Sequence, residues 1–439
     1  MLSHSDFLTQ RRCGWRIYQP SVSLAALMAL CLNTGSAFFG GEAFSQLSDP
    51  ERNIGVRDRM RPDYDPQGIS VGSFYFLPAL GLDVVNDDNI FASPNNPKAD
   101  TFFIVKPQVR LNSDWSTHAF NLHASADVLR YAHQTSENTE DYDVGVDGRY
   151  DIDQAFHLNG LLDYSDLTQP RTVSDLTVAL ARPLRYQYSH LTASASKTFN
   201  ALQLVGSVDR SGFRYRDNAD LNGNPVSEQA LDRTVWIFTG RSAYLFNPDD
   251  SIFLQTTYNE RFYDLGPPAA PANRNSHGVE IDVGTEFNIT NLIRSSLQAG
   301  YLQQFFDGAT ETPPEPVIHG RIQWFVTGLT TVSFDVDRRF ADSDNTGTLG
   351  YISLTGEGRV DHELYRNIIL TVDGGYIKNE YSDIDRNDTI WSAGARATWL
   401  VNRIFRVECD YRHSQRSSFG FAAGTGFSDD RISLSFVAQ

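Results

Sequence analysis

From Phe103 to Leu111 every second residue is apolar. Phe103, Val105, Pro107, Val109 and Leu111 fall on one side of an extended chain. Ile104, Lys106, Gln108, Arg110 and Asn112 fall on the other, because successive side chains of a strand face opposite ways. The alternation recurs to the last residues. Phe120, Leu122, Ala124, Ala126 and Val128 oppose Asn121, His123, Ser125 and Asp127, and Tyr142, Val144, Val146 and Tyr150 oppose Asp141, Asp143, Asp147 and Arg149. Val332, Phe334 and Val336 oppose Ser333, Asp335, Asp337 and Arg339. Phe405, Val407, Cys409 and Tyr411 oppose Arg406, Glu408, Asp410 and Arg412, and Ile432, Leu434 and Phe436 close the chain. A soluble sandwich can show one such strand. More than a dozen in series, with charges on the polar face, predict an all-β transmembrane antiparallel barrel.

The connections alternate between long and short. A first strand over about 72–86 is followed by a long loop, Asp87 to Asp100, and a second strand over about 101–112 by a tight turn at Ser113-Asp114-Trp115-Ser116. Further short turns are expected near Asp153, Asn200, Asn247-Pro248-Asp249, Asn291, Gly328, Tyr365 and Asn402. Long polar loops are expected near 136, 168–183, 216–230, 264–276, 307–315, 341–347, 381–388 and 417–427. The count is about 18 strands, with roughly 16 or 20 open to a one-hairpin error. Long loops follow odd strands and short turns follow even ones, which puts both chain ends on the short-turn, periplasmic side. Trp115, Phe199, Phe246, Trp324, Trp399 and Phe405 flank short turns, as an aromatic girdle at the periplasmic interface requires.

Charge and hydropathy sharpen this picture. The 439 residues carry 54 Asp and Glu against 37 Lys and Arg, a formal net charge of -17. That balance argues against nucleic acid and against a polybasic membrane-surface role, and it suits a solvated acidic lumen. Mean hydropathy is -0.35. Outside the N-terminus there is no apolar run of about 18 residues, so helical spans are not expected. Arg11, Arg12 and Arg16, the apolar run Val22 to Leu32, and Gly35-Ser36-Ala37 read as a signal peptide over 1–37, with an alternative cleavage near 43–45 after Gly41-Glu42-Ala43. The residues flanking Arg11-Arg12 fit a twin-arginine signal poorly, so the general secretion route is expected. Residues 38–68 form a polar periplasmic lead-in, broken by Pro62 and Pro66 and either tucked into the barrel mouth or disordered. The barrel itself spans 69–439. Cys13 and Cys31 fall in the signal, so Cys409 has no disulfide partner and no cysteine metal site exists.

A barrel of this size is too wide to be filled by its own side chains. Its polar faces become the wall of a lumen. The lumen-facing candidates are Lys106, Arg110, Asp127, Asp143, Asp147, Arg149, Glu280, Asp282, Glu286, Arg321, Asp335, Asp337, Arg339, Glu357, Arg359, Asp373, Arg396, Arg406, Glu408, Asp410 and Arg412. They form either a salt-bridged wall that stiffens the barrel or a selectivity ladder for a polar solute. A hairpin turning about Asn402 would set Arg396 opposite Glu408.

No catalytic, cofactor-binding or metal set emerges, and the chain is not read as an enzyme. His362-Glu363 lacks the second histidine of a zincin helix. There is no G-x-S-x-G elbow, and Ser196-Lys197-Thr198 lacks the glycines of a phosphate loop. Asp342-Ser343-Asp344-Asn345-Thr346-Gly347 opens like a calcium loop, but its twelfth position is Ser353 rather than glutamate. A solvated hairpin loop is the expectation there. His123 and Asp127 share a strand face as two members of a triad would, but no serine partner is identifiable.

The segment Val56-Arg57-Asp58-Arg59-Met60-Arg61-Pro62-Asp63-Tyr64-Asp65-Pro66-Gln67-Gly68-Ile69 is distinctive. It continues through Gly72-Ser73-Phe74, Pro78, Asp87-Asp88-Asn89-Ile90-Phe91-Ala92, Ser113-Asp114-Trp115-Ser116-Thr117-His118 and Glu140-Asp141-Tyr142. Together these resemble the outer-membrane beta-barrel porin family of alphaproteobacteria, the beta-barrel porin 2 group. The likeness is sharpest over 56–152, and beyond that it rests on the barrel pattern. The resemblance implies an outer-membrane barrel that accompanies exopolysaccharide or capsule export. Its implied partners are outer-membrane lipid, the barrel-assembly machinery and periplasmic or inner-membrane polysaccharide synthesis and export proteins. Many such barrels end on an aromatic that the assembly machinery reads; here Phe436 would be read from an inner position. Three functions follow: a passive water-filled conduit for exopolysaccharide, a general diffusion porin for small polar solutes, or a plugged structural or adhesive barrel. A loop folded into the lumen, with 168–183 and 216–230 as candidates, would favour the second.

Overall fold

A computed structural model describes residues 54–172, 179–307 and 313–439. The expected signal peptide lies outside the described residues. The first strands are β1 (Phe74–Asp87), β2 (Asp100–Ser113), β3 (Ala119–Tyr131), β4 (Thr139–Asp153), β5 (Phe156–Gln169) and β6 (Leu184–Phe199). Next come β7 (Leu202–Tyr215), β8 (Arg233–Leu245), β9 (Ser251–Tyr263), β10 (Ser276–Ile289), β11 (Ile293–Phe306) and β12 (Glu315–Thr327). The last are β13 (Thr330–Ala341), β14 (Tyr351–Tyr365), β15 (Ile368–Tyr381), β16 (Asn387–Leu400), β17 (Phe405–Phe419) and β18 (Phe427–Ala438). Each strand pairs antiparallel with its sequence neighbours. β18 then pairs with β1, Leu82 opposite Phe436, which closes an 18-stranded barrel. The short strand Ile69–Val71 folds back on the start of β1.

Closure follows from the solvent. In hydrocarbon an unpaired backbone group costs several kcal/mol, so a spanning sheet must leave no edge. The outward face is apolar: Leu80, Leu82 and Val84 of β1, Ile281 and Val283 of β10, and Ile432, Leu434 and Phe436 of β18 are all exposed. The six girdle aromatics are exposed too, beside the short turns. Two-residue turns at 200–201, 328–329 and 366–367 join strands at that end. Asn200 takes the left-handed conformation (φ 51) that so tight a turn requires.

One register differs from expectation. Arg396 lies opposite Asp410, and Glu408 lies opposite Thr398. The hairpin turns about Arg403, because the Asn402 side chain accepts hydrogen bonds from the Ile404 and Phe405 amides at 2.8 and 2.9 Å and holds a four-residue loop, 401–404. The slip is of two residues, so every side chain keeps its face.

The interior is not uniformly polar. Towards the long-loop end, Leu184, Tyr186 and Tyr188 of β6, Phe213 and Tyr215 of β7, and Val235 and Ile237 of β8 form an inward-facing buried cluster with Leu180 and Leu231. The loop 216–232 supplies Leu231 and Val226 as its lid. Smaller clusters sit at the same end on β1–β3 (Val85, Phe102, Ile104) and on β11–β13 (Leu302, Val317, Phe340). Apolar side chains pointing into a wide lumen would meet water unless loops cover them.

The candidate functional site is the lumen and its two mouths

At the short-turn mouth the described part of the lead-in, from residue 54 onward, lies against the inside of the wall. The Val56 amide donates to Thr331 Oγ1 at 3.0 Å, and Val56 is fully buried. Arg61, also buried, donates to Glu363 Oε2 and to the Val56 carbonyl at 2.7 Å each, and to the Arg366 carbonyl at 3.1 Å. Arg403 holds the Pro62 carbonyl at 2.8 Å. The segment thus bridges β13, β14 and two short turns.

Along the barrel, all 21 lumen candidates lie on the face opposite the exposed apolar positions, since each strand keeps its alternation. Most on β12–β17 are paired across or along strands. Arg321 meets Asp335 at 2.5 Å, Arg339 meets Asp337 at 2.9 Å, and Arg359 meets Glu357 at 2.7 Å. Arg396 meets Asp410 at 3.1 Å, Arg412 meets Asp373 at 2.9 Å, and Arg406 meets Glu408 at 3.1 Å. Arg412 on β17 reaches Asp373 on β15 over Gly394 of β16. A Cβ there would lie 3.0 Å from the guanidinium and 3.3 Å from the carboxylate. Elsewhere Lys106 pairs with Asp83 at 2.6 Å and Glu286 with Arg241 at 2.6 Å.

The β3–β5 wall is different. Asp143 meets His123 at 3.0 Å and Ser165 at 2.7 Å, and Asp147 accepts from the Asn121 amide at 2.8 Å. His123 also faces Asp163 at 3.6 Å, so it turns to β4 and β5 rather than to Asp127. Arg149 pairs with Asp151 at 3.0 Å. Arg110 is registered opposite His123, and Asp127 lies in the field of Lys106. Glu280 and Asp282 face His319 of β12.

At the long-loop mouth the structure corrects an expectation. Segment 342–350 is not a solvated hairpin: Ser343 and Thr348 are buried, and the Asp342 side chain is 2% exposed. Asp342 lies 3.3 Å from both Arg233 of β8 and Arg261 of β9, and accepts from the Tyr263 hydroxyl at 2.9 Å. Arg274, from the loop after β9, donates to the Ser343 carbonyl. Gln169 at the end of β5 donates to Asp344. β5 and β13 are eight strands apart on an 18-strand ring, so this contact spans the lumen. At its root Asp383 accepts from the Leu349 amide at 2.8 Å and from Thr348. Burial pushes the Asp342 carboxyl up, but Arg261, Arg233 and Arg274 outweigh it and hold the group below the usual carboxylate range. A segment anchored in this way stays across the opening. Gln169 belongs to one of the two candidate loops, 168–183, of which 173–178 lie outside the described residues, while the other, 216–230, packs on its own wall through Val226. Arg233, Arg261 and Arg274 escaped the sequence reading, and no local signal marks them, because their partners lie more than 60 residues away.

The family described as Putative beta-barrel porin 2 matches residues 61–439. No curated protein sequence matches. Among solved structures, the outer-membrane protein OpdK of Pseudomonas aeruginosa is 12% identical with a TM-score of 0.42, covering 82% of this chain and 97% of that one. A BenF-like porin from Pseudomonas fluorescens Pf-5 is 11% identical with a TM-score of 0.44, covering 83% and 98%. The siderophore receptor PirA of Pseudomonas aeruginosa is 9% identical with a TM-score of 0.42, covering 85% and 81%. The family match and the closed barrel carry the assignment, not these distant shapes.

Proposed function

The chain belongs to the Putative beta-barrel porin 2 family, and from that premise we propose that this outer-membrane barrel is a passive channel for small polar solutes, narrowed at its long-loop mouth by segment 342–350. Porins are channels rather than enzymes, and the wall described above contains the means of passage. Hydroxyls and amides of a solute can exchange water for Asp, Arg, Asn and Ser side chains, each contact weak enough to release. The observation that carries the reading is the Asp342 anchor. One carboxylate held by Arg233 and Arg261, with Arg274 on the neighbouring carbonyl, fixes a crossing segment over an otherwise wide lumen. A fixed constriction favours small solutes over a polymer.

Export of exopolysaccharide is the second reading, and it rests on the family resemblance. Two experiments separate them. Liposomes loaded with the protein should swell in mono- and disaccharides and resist longer oligosaccharides. Equal entry of long oligosaccharides would overturn the small-solute reading. A clean deletion, with polysaccharide measured at the surface, in the medium and in the periplasm, should leave all three unchanged. Polymer retained inside and restored by the intact gene would establish export instead.

A further inference from the structure

We propose that Glu280, Asp282 and His319 form a binding site for one divalent transition-metal cation of the zinc type, built into the inner wall across β10, β11 and β12. Their ligand atoms all lie within 4.8 Å of one another, and all three residues are buried. His319 Nε2 is 3.3 Å from Glu280 Oε1. Four features point to a cation rather than to a chance group of acids.

Asp282 is fully buried, yet neither of its carboxylate oxygens has a hydrogen-bond donor. A buried carboxylate without a donor is costly, and a second carboxylate beside it raises the cost. A positive charge between them relieves both. His319 Nε2 is likewise buried without a hydrogen bond and faces the same space. The other ring nitrogen, Nδ1, meets Asp337 Oδ1 at 2.5 Å. When the ring is neutral that contact fixes the proton on Nδ1 and leaves the Nε2 lone pair free. A carboxylate behind the ring is the arrangement that orients metal-bound histidines. His319 stands directly opposite Asp337 in the register, so the pairing is built into the sheet.

The fourth feature is Gly300. Asp282 is registered opposite Gly300 of β11, and His319 opposite Gln298, two residues along. A Cβ at Gly300 would overlap the Asp282 carboxylate. With glycine there, groups from β10 and β12 meet over the strand between them. Two carboxylates and one imidazole suit zinc, manganese or iron(II) better than magnesium or calcium, which prefer all-oxygen sets. A tetrahedral ion would draw its ligands to about 3.4 Å apart and leave a fourth position for water. Bound there, it would staple three strands and cancel the charge of two carboxylates in the wall.

The test uses the full-length protein refolded in detergent. Metal-stripped protein is titrated with Zn²⁺ against a chromophoric chelator, and with Co²⁺ while the visible spectrum is recorded. One equivalent of Zn²⁺ and a tetrahedral Co²⁺ absorption are expected. Asp282→Asn and His319→Gln should abolish both, and Asp337→Asn, which removes only the orienting group, should weaken Zn²⁺ about 10–100-fold. Asp147→Asn, on the far wall, should leave Zn²⁺ and Co²⁺ binding unchanged. Folding of each variant is checked by its heat-dependent migration on gels. Absence of stoichiometric Zn²⁺ and Co²⁺ binding by the wild-type protein would overturn the proposal without reference to any variant. So would equal binding by wild type and correctly folded Asp282→Asn, which would place the ion elsewhere.

Discussion

The two walls of the lumen solve the same problem in different ways. On β12–β17 nearly every inward carboxylate has a guanidinium beside it, as in Arg321–Asp335, Arg396–Asp410 and Arg412–Asp373. On β3–β5 the inward groups are Asp127, Asp141, Asp143, Asp147, Asp151 and Asp163, with Arg149 as the one arginine among them. There the carboxylates rely on histidines, hydroxyls and amides: His123 at 3.0 Å, Thr168 at 2.6 Å, Asn121 at 2.8 Å. One wall is charge-balanced and cross-linked; the other carries an excess of carboxylates, held largely by histidines, hydroxyls and amides. Paired charges stiffen a wall and leave little field, whereas unbalanced carboxylates project one into the pore.

The largest test removes the anchor that holds 342–350 across the long-loop mouth. Asp342→Asn leaves Arg233, Arg261 and Arg274 together without their carboxylate. Stranding buried charges of this kind costs about 3–5 kcal/mol, so the segment should leave the opening and single-channel conductance should rise. Unchanged conductance would mean that 342–350 does not limit flow. The pH dependence has a definite sign. The Asp342 carboxyl is held low, so its stabilisation is complete above the ordinary carboxylate range and is lost only as pH falls through the depressed value. Conductance of the wild type should therefore stay flat from neutral pH to about pH 5 and rise only in stronger acid.

The next test sets the walls against each other. Asp373→Asn removes the partner of a buried Arg412 and should cost about 1–3 kcal/mol. Asp147→Asn exchanges one amide hydrogen bond for another on a more open surface and should cost under about 1 kcal/mol. Denaturation midpoints of the two variants read the difference directly, and equal losses would erase the distinction between the walls. Ion selectivity should show the reverse order. Neutralising Asp143 and Asp147 together should shift the reversal potential away from cations. Neutralising Arg412 and Asp373 together, a pair with no net charge, should shift it less.

The smallest effect is expected in the loop over the apolar cluster. Burial, with Asp217 nearby, pushes the Glu228 carboxyl up to about 7. A raised carboxyl is favourable to the folded loop while protonated, and that contribution fades as pH climbs from its ordinary value through about 7. Hydrogen-exchange protection around Leu231 should fall over that window in the wild type. In Glu228→Gln it should stay level.

Much of the barrel was legible from residue order. Period-two alternation is set strand by strand, so Phe103 and Lys106 choose their faces without reference to the rest of the chain. Membrane closure then forces those strands into a ring, and the alternation of long and short connections fixes which end holds the chain termini. The contacts inside the ring obey a different rule. The Arg396–Asp410 pairing depended on a two-residue difference in one turn. The grouping of Glu280, Asp282 and His319 needed the stagger of three strands and a glycine between them. Asp342 found its arginines on β8 and β9, and Asp344 found Gln169 on β5, only because closure brings distant strands within reach across the lumen. Sequence by itself determined the barrel, its strand faces and its orientation, since those follow from local periodicity and the cost of an unpaired edge in lipid. Tertiary structure alone decided which charges meet and which segment crosses the pore, since those follow from register and ring closure, which no short window of sequence contains.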